Sequence, residues 1–182
     1  MEVKNLTVSF EGKMVLDHLT LTIPEEGVTW LAGPSGVGKT TLFRVLAGLR
    51  KPDAGEVVVT KRPVLLFQED RLFPRCTARR QIEAVLPRDR RGEAPHWLEL
   101  VELTEAADKL PGELSGGMAR RLSLARCLAV EGDVYLLDEP FAGVDVERAD
   151  RILCKLKELE RPMVITGHLP ELAKRCDRIV EL

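Results

Sequence analysis

The chain begins with strict alternation. Lys4, Leu6, Val8 and Phe10 fall on one face, counting the apolar stem of Lys4, and Asn5, Thr7 and Ser9 on the other. Leu19, Leu21 and Ile23 alternate in the same way with Thr20 and Thr22. A period of two predicts strands with one solvated face. Glu11-Gly12-Lys13 reads as the turn between them, which makes the start antiparallel. Later runs are continuous: Val64–Phe67, Val134–Leu137 and Met163–Ile165, with Ile179-Val180 as one more short piece. Unbroken apolar runs of this length predict strands covered on both faces, as in a parallel sheet.

Between the strands the period changes. Leu42, Leu46 and Leu49 follow helical spacing up to a stop at Pro52. Met118, Leu122, Ala125 and Ala129 share one stripe, and Ile152, Leu156 and Leu159 another. Strands alternating with helices predict an α/β fold with a mostly parallel core sheet beside an antiparallel β part. Residues 75–111 break the rhythm with helical patterning around Ile82, Val85 and Leu86, then around Trp97, Leu98 and Val101. They read as a small helical insertion in one domain spanning 1–182, whose core is 1–74 plus 112–182. The run Arg88-Asp89-Arg90-Arg91 reads as a solvated connector.

Composition adds mainly exclusions. The 182 residues suit one domain, and a net charge of −2 with both signs interspersed gives no reason to expect a nucleic-acid partner. No apolar run approaches the roughly 18–20 residues that span a bilayer. Met1-Glu2-Val3-Lys4-Asn5 lacks the order of a secretory signal. Any membrane role is therefore borrowed from a partner. Cys76, Cys127, Cys154 and Cys176 form no CxxC pair, and His18, His96 and His168 complete no zinc spacing. Reduced structural thiols in a cytosol are expected.

Gly33-Pro34-Ser35-Gly36-Val37-Gly38-Lys39-Thr40 is a P-loop, set between the apolar run Val28–Ala32 and a helix starting near Lys39. The glycines let the backbone turn its N–H groups inward, and the helix start adds a positive dipole end. Lys39 is the expected partner of the β- and γ-phosphates, and Thr40 of Mg²⁺; Thr41 is counted with the nucleotide site. A glycine-rich turn that merely contains a lysine is the bland alternative, and the strand–loop–helix context nearly removes it. The run Val134–Leu137 ends in Asp138-Glu139, a Walker-B arrangement. Asp138 is expected to hold Mg²⁺ through water, and Glu139 to act as general base on the attacking water.

Leu114-Ser115-Gly116-Gly117-Met118 resembles the signature sequence of ATP-binding cassette (ABC) proteins, and the resemblance runs along nearly the whole chain. It implies an ATPase. Phe10 is then the aromatic that stacks on adenine, although an alternating strand explains a phenylalanine without any ligand. Gln68 becomes the catalytic and Mg²⁺-sensing Q-loop glutamine, Asp145 the D-loop aspartate and His168 the catalytic switch histidine. Ser115, Gly116 and Gly117 would face ATP held by a second subunit in a head-to-tail dimer. Phe67-Gln68-Glu69-Asp70-Arg71-Leu72-Phe73-Pro74 resembles the Q-loop region of bacterial importer ATPases, especially those for small anions and organic sulfur compounds. That likeness implies a membrane permease docking near Leu72 and Phe73, a solute-binding protein acting indirectly, and a cytoplasmic protein peripheral to the inner face of the membrane.

Departures accompany the match. Met118 stands where the family has glutamine and loses an amide's hydrogen bonds. Gly167 and Leu169 flank His168 where threonine and aspartate are usual. The segment from His168 to Asp177 is one residue short, and the chain stops at Leu182 where members usually run on, so no added regulatory domain is expected. Two rivals stay open. A soluble ABC-type ATPase not coupled to transport usually carries extra domains, coils or basic arms, and none is visible here. A P-loop kinase or phosphotransferase leaves Leu114–Met118 unexplained.

Overall fold

In the computed structural model, which describes all residues 1–182, the elements run β1 (Glu2–Phe10), β2 (Lys13–Thr22), β3 (Val28–Ala32), α1 (Lys39–Leu46), β4 (Ala54–Val58), β5 (Pro63–Leu66), α2 (Ala78–Glu83), α3 (Ala94–Leu100), α4 (Gly116–Ala129), β6 (Val134–Leu137), α5 (Val146–Glu158), β7 (Met163–Ile165), α6 (Pro170–Ala173) and β8 (Arg178–Glu181). The chain divides into two units. One comprises residues 1–65, 132–138 and 161–182; the other comprises 66–131 and 139–160. No helix is long and apolar enough to cross a membrane.

The first unit holds an antiparallel sheet ordered β2-β1-β4 and a five-stranded sheet ordered β5-β6-β7-β3-β8. In the latter, β3 pairs parallel with β7 and β8, and β6 parallel with β7. The α/β class with a parallel core sheet and an antiparallel part is thus as the patterning predicts. Glu11 and Gly12, both at positive φ, close the β1–β2 hairpin in two residues, with Phe10 opposite Lys13.

The strict alternation expected for β1 does not hold. Asn5 sits at φ 49, the register shifts between Val3 and Leu6, and Val3, Leu6 and Val8 are the buried positions while Lys4 is exposed. A bulge inserts one residue and reverses the faces before it. The neighbouring strand β4, whose Gly55 lies against the Asn5 carbonyl with no room for a Cβ, had no visible pattern because four of its five residues are exposed.

The core of this unit gathers Leu6, Val8, Leu16, Ile23, Leu31, Leu42, Phe43, Leu46, Leu136 and Val164. Helix α1 buries Leu42 and Leu46 as expected, but Leu49 is 60% exposed. Gly48, at φ 71, ends the helix first: its N–H donates to Val45 O and that of Leu49 to Arg44 O, a Schellman closure that turns Leu49 outward before Pro52 is reached.

The second unit is helical. Thr77 caps α2, and Ile82, Trp97, Leu98 and Val101 form its buried centre. The 88–93 connector is a 3₁₀ turn, with Arg90 donating to both oxygens of Glu93 and to Glu131, so one residue of the expected solvated run is anchored. Helix α4 buries more than its apolar stripe, because Arg120 and Arg121 are also buried.

Candidate functional site

The loop after β3 owes its shape to three positive-φ glycines: Gly33 (φ 146), Gly36 (φ 79) and Gly38 (φ 112). Gly38 is the N-cap of α1 and supplies no side-chain cap. The first amides of α1 therefore have no acceptor in their own helix or cap, which is the condition for anion binding. Lys39, only 8% exposed, donates from Nζ to Gly33 O at 2.7 Å and Pro34 O at 2.9 Å, so the ammonium lies within the loop's own curve. Thr41 is also buried. Residues 33–36 are exposed.

Strand β6 is buried at all four positions and delivers Asp138, 3% exposed, to the same place. Asp138 Oδ2 accepts from Thr40 Oγ1 at 2.6 Å, and Oδ1 accepts from Thr166 Oγ1 at 2.8 Å. Thr40 and Asp138, 98 positions apart in sequence, are thus brought together. Thr166 escaped the sequence reading; its signal was its position directly after the apolar run Met163–Ile165.

A hydroxyl and a carboxylate in contact are hard oxygen donors of the kind Mg²⁺ takes when substrate phosphates and water complete its shell. No cluster of three His, Cys, Asp or Glu side chains exists that could cage a metal by itself. The residues present fit a Mg²⁺ that would be held together with a phosphate ligand.

His168 follows β7 and is exposed. The residue before it, Gly167, lies against the Trp30 indole, and a Cβ there would come within 2.7 Å of the ring. That contact accounts for glycine in place of the usual threonine. Phe10 is half-buried, and the Arg50 guanidinium lies 4.1 Å from its ring centroid while donating to Ser9 O at 2.6 Å. One face of the candidate adenine-stacking ring is therefore covered by a cation.

The remaining candidates belong to the second unit. Glu139 follows Asp138 directly, is half-buried, and holds φ 50, a conformation uncommon outside glycine. Ser115 is the N-cap of α4, accepting from the Met118 amide at 3.3 Å, and both Ser115 and Gly116 are exposed. Gly117 packs so tightly on the Gly143 carbonyl that a side chain would collide with backbone. Asp145 is exposed and caps α5, accepting from the Arg148 amide at 2.9 Å. That bond, with the Arg148 charge nearby, holds its carboxyl below the usual range. Gln68 is exposed, Leu72 half-buried and Phe73 exposed.

Sequence reasoning also missed the arginines of α4. Arg120 donates to Glu139 O, Phe67 O, Gln68 O and Asp70 Oδ1. Arg121 donates to Val101 O and Glu102 O. Polar residues on a helix read as solvent-facing by pattern alone, and nothing local marks them as buried.

The family model described as ABC transporter matches residues 16–142. The chain is 40% identical over 189 residues to the aliphatic sulfonates import ATP-binding protein SsuB 1 of Nocardia farcinica, covering 100% of this chain and 77% of that protein. It is 35% identical over 208 residues to the sulfate/thiosulfate import ATP-binding protein CysA of Methylococcus capsulatus, covering 100% of this chain and 60% of that one. Among solved structures, the ATP-binding cassette MJ0796, in a dimeric post-hydrolysis state bound to ADP and Pi, matches with a TM-score of 0.86 at 28% identity over 100% of this chain and 93% of its own.

Proposed function

The chain belongs to the ABC transporter family as an ATP-binding and ATP-hydrolysing subunit, and on that premise we propose that it drives an importer for sulfur oxyanions, sulfonates or sulfate, through a separate membrane permease. The observation that carries the site assignment is the Thr40–Asp138 hydrogen bond, which joins the phosphate loop to the end of a buried strand.

The roles follow from chemistry. The loop amides of 33–41 bind phosphate oxygens, and Lys39 neutralises the β/γ end as a point charge. Thr40 and Asp138 would hold Mg²⁺, and the ion would supply positive charge that offsets the crowded phosphates; the family likeness gives Gln68 the part of sensing the ion through its side-chain oxygen. Glu139 accepts a proton from water as its oxygen attacks the γ-phosphorus and the bond to the β-phosphate oxygen breaks. His168 orients that water and the γ-phosphate. Phe10 supports the base from the face that Arg50 leaves open.

Two copies close head to tail, the exposed Ser115 and Gly116 of each, with Gly117 after them, facing the nucleotide of the other, with Asp145 beside it. The dimeric state of the solved relative supports a dimer. Residues 75–111 are the helical insertion of a single ABC ATPase domain. Leu72 and the exposed Phe73 receive a cytoplasmic helix of the permease, which holds the subunit at the inner face of the membrane; a solute-binding protein acts on the permease from the other side.

One experiment tests the scheme with the assembled transporter. Glu139→Gln is expected to bind ATP and stay with the permease while turnover falls about 100- to 10,000-fold, the usual loss for a general base. Phe73→Asp is expected to bind ATP as a folded protein and to lose the permease on co-purification. Near-normal turnover in the first variant refutes the catalytic assignment. Retained association and uptake in the second refutes the docking surface.

A further inference from the structure

We propose that Arg120 is a positioning residue for hydrolysis, fixing the backbone of Glu139 and of Gln68 together through one guanidinium. The inference rests on the reading of Glu139 as general base and Gln68 as its companion.

Arg120 is 3% exposed, so its charge must be answered by neighbours. The answers are specific. Nε donates to Glu139 O at 2.8 Å; Nη1 donates to Phe67 O at 2.7 Å, Gln68 O at 3.1 Å and Asp70 Oδ1 at 3.1 Å. The acceptors Glu139 O, Phe67 O and Gln68 O are main-chain carbonyls, and they belong to the two segments that carry the proposed base and the proposed Mg²⁺-sensing glutamine.

Glu139 needs such a hold. Its φ of 50 is disfavoured for a residue with a side chain, and it persists only where surroundings over-determine it. Its carbonyl accepts the Ala142 amide as well as Arg120 Nε, and the two bonds fix the peptide plane from which the carboxylate projects.

The same helix face continues the grip. Ser123 Oγ donates to Asp70 O at 2.9 Å, and Arg126 donates to Asp70 O and Arg71 O at 2.9 and 3.1 Å. Gln81 then clasps Phe73, accepting from its amide and donating to its carbonyl. Arg120, however, is the member that reaches Glu139. A flat, forked donor suits two carbonyl groups lying in different directions, whereas a lysine offers one point charge and loses one side of the arrangement.

The test uses Arg120→Lys, alone and combined with Glu139→Gln, in the full-length protein. For Arg120→Lys, kcat is expected to fall about 10- to 100-fold with KM for ATP within about twofold, as for a misplaced rather than a missing catalytic group. In the Glu139→Gln background, single-turnover hydrolysis is expected to fall no further, because the residue acts through the carboxylate already removed. Amide exchange is expected to rise locally at 67–70 and 139–142; a merely structural role raises it throughout the helical unit. Wild-type kcat for Arg120→Lys overturns the proposal, and so does a full additional loss in the double variant or a global rise in exchange. If Glu139→Gln alone keeps near-normal turnover, the functional reading itself fails, and that result is separate from the others.

Discussion

The two ends of the proposed chemistry follow opposite building plans. In the first unit, Lys39 and Asp138 are buried and engaged with atoms of their own unit: carbonyls of the loop for one, the hydroxyls of Thr40 and Thr166 for the other. In the second, Ser115, Gly116, Gln68 and Asp145 are exposed, and what is buried is the arginine framework behind them. The lesson concerns where polarity is placed. A buried carboxylate must have its lone pairs answered before substrate arrives, whereas a surface serine on a helix start remains hydrated until something covers it. Under the proposed function, the first plan makes a site that needs only a ligand, and the second makes one that needs a partner surface.

Removing the charge from the buried end gives the largest effect. Lys39→Ala is expected to weaken ATP binding by about 2–3 kcal/mol, on the order of 100-fold, with the fold intact, since a charged hydrogen-bond donor to phosphate is lost. Calorimetry with Mg-ATP checks it. Undiminished affinity would erase the contrast, because both ends would then depend on partners.

Crowding the exposed end gives a smaller loss of a different kind. Gly117→Ala sets a methyl group against the Gly143 carbonyl, and is expected to lower stability by about 1–3 kcal/mol, as overpacking does, while ATP binding to the first unit stays near normal. Denaturant unfolding and nucleotide binding measured on one preparation separate the two outcomes. Equal damage to both would mean that the ends are not independently built.

The smallest effect lies in the framework of the second unit and sharpens the comparison through pH. Glu102 takes two bonds from Arg151 at 2.9 Å, with Arg148 at 3.2 Å and Lys155 at 3.8 Å. The Arg151 hydrogen bonds foremost hold its carboxyl at about 2, below the ordinary 4.5. A depressed carboxyl stabilises the fold fully above its ordinary value and loses that contribution as pH falls from about 4.5 to about 2. After discounting for solvent screening, about 1–2 kcal/mol is expected. Thermal unfolding of wild type against Glu102→Gln should show that gap at neutral pH and most of it gone by pH 2; an undiminished gap in acid would count against the ion pairs.

How much of this was legible beforehand follows from the same contrast. The P-loop and the strand ending in Asp138-Glu139 stood out because tight turns demand glycine and buried strands demand apolar runs, and both requirements are local. Strand β4 was invisible because its residues are mostly exposed and it exists by pairing with β1. The bulge at Asn5 and the helix stop at Gly48 are single-residue events that shift a pattern without announcing themselves. Arg120 was illegible for a stronger reason: its acceptors lie some 19 to 53 positions away along the chain. No window on the sequence contains both the donor and the carbonyls that justify it.

The contact between Gly167 and Trp30 carries this one step further. Residue 167 precedes His168, and its departure from the usual threonine invites a reading as damage to the proposed switch. The indole occupies the space that a side chain at 167 would fill, so the two positions divide a single volume between them. Size at one is the complement of size at the other, and the identity of residue 167 records how strand β3 is furnished rather than how the histidine works. Anyone restoring threonine at 167 to improve the enzyme would have to trim residue 30 in the same step, treating the pair as one design variable with two letters.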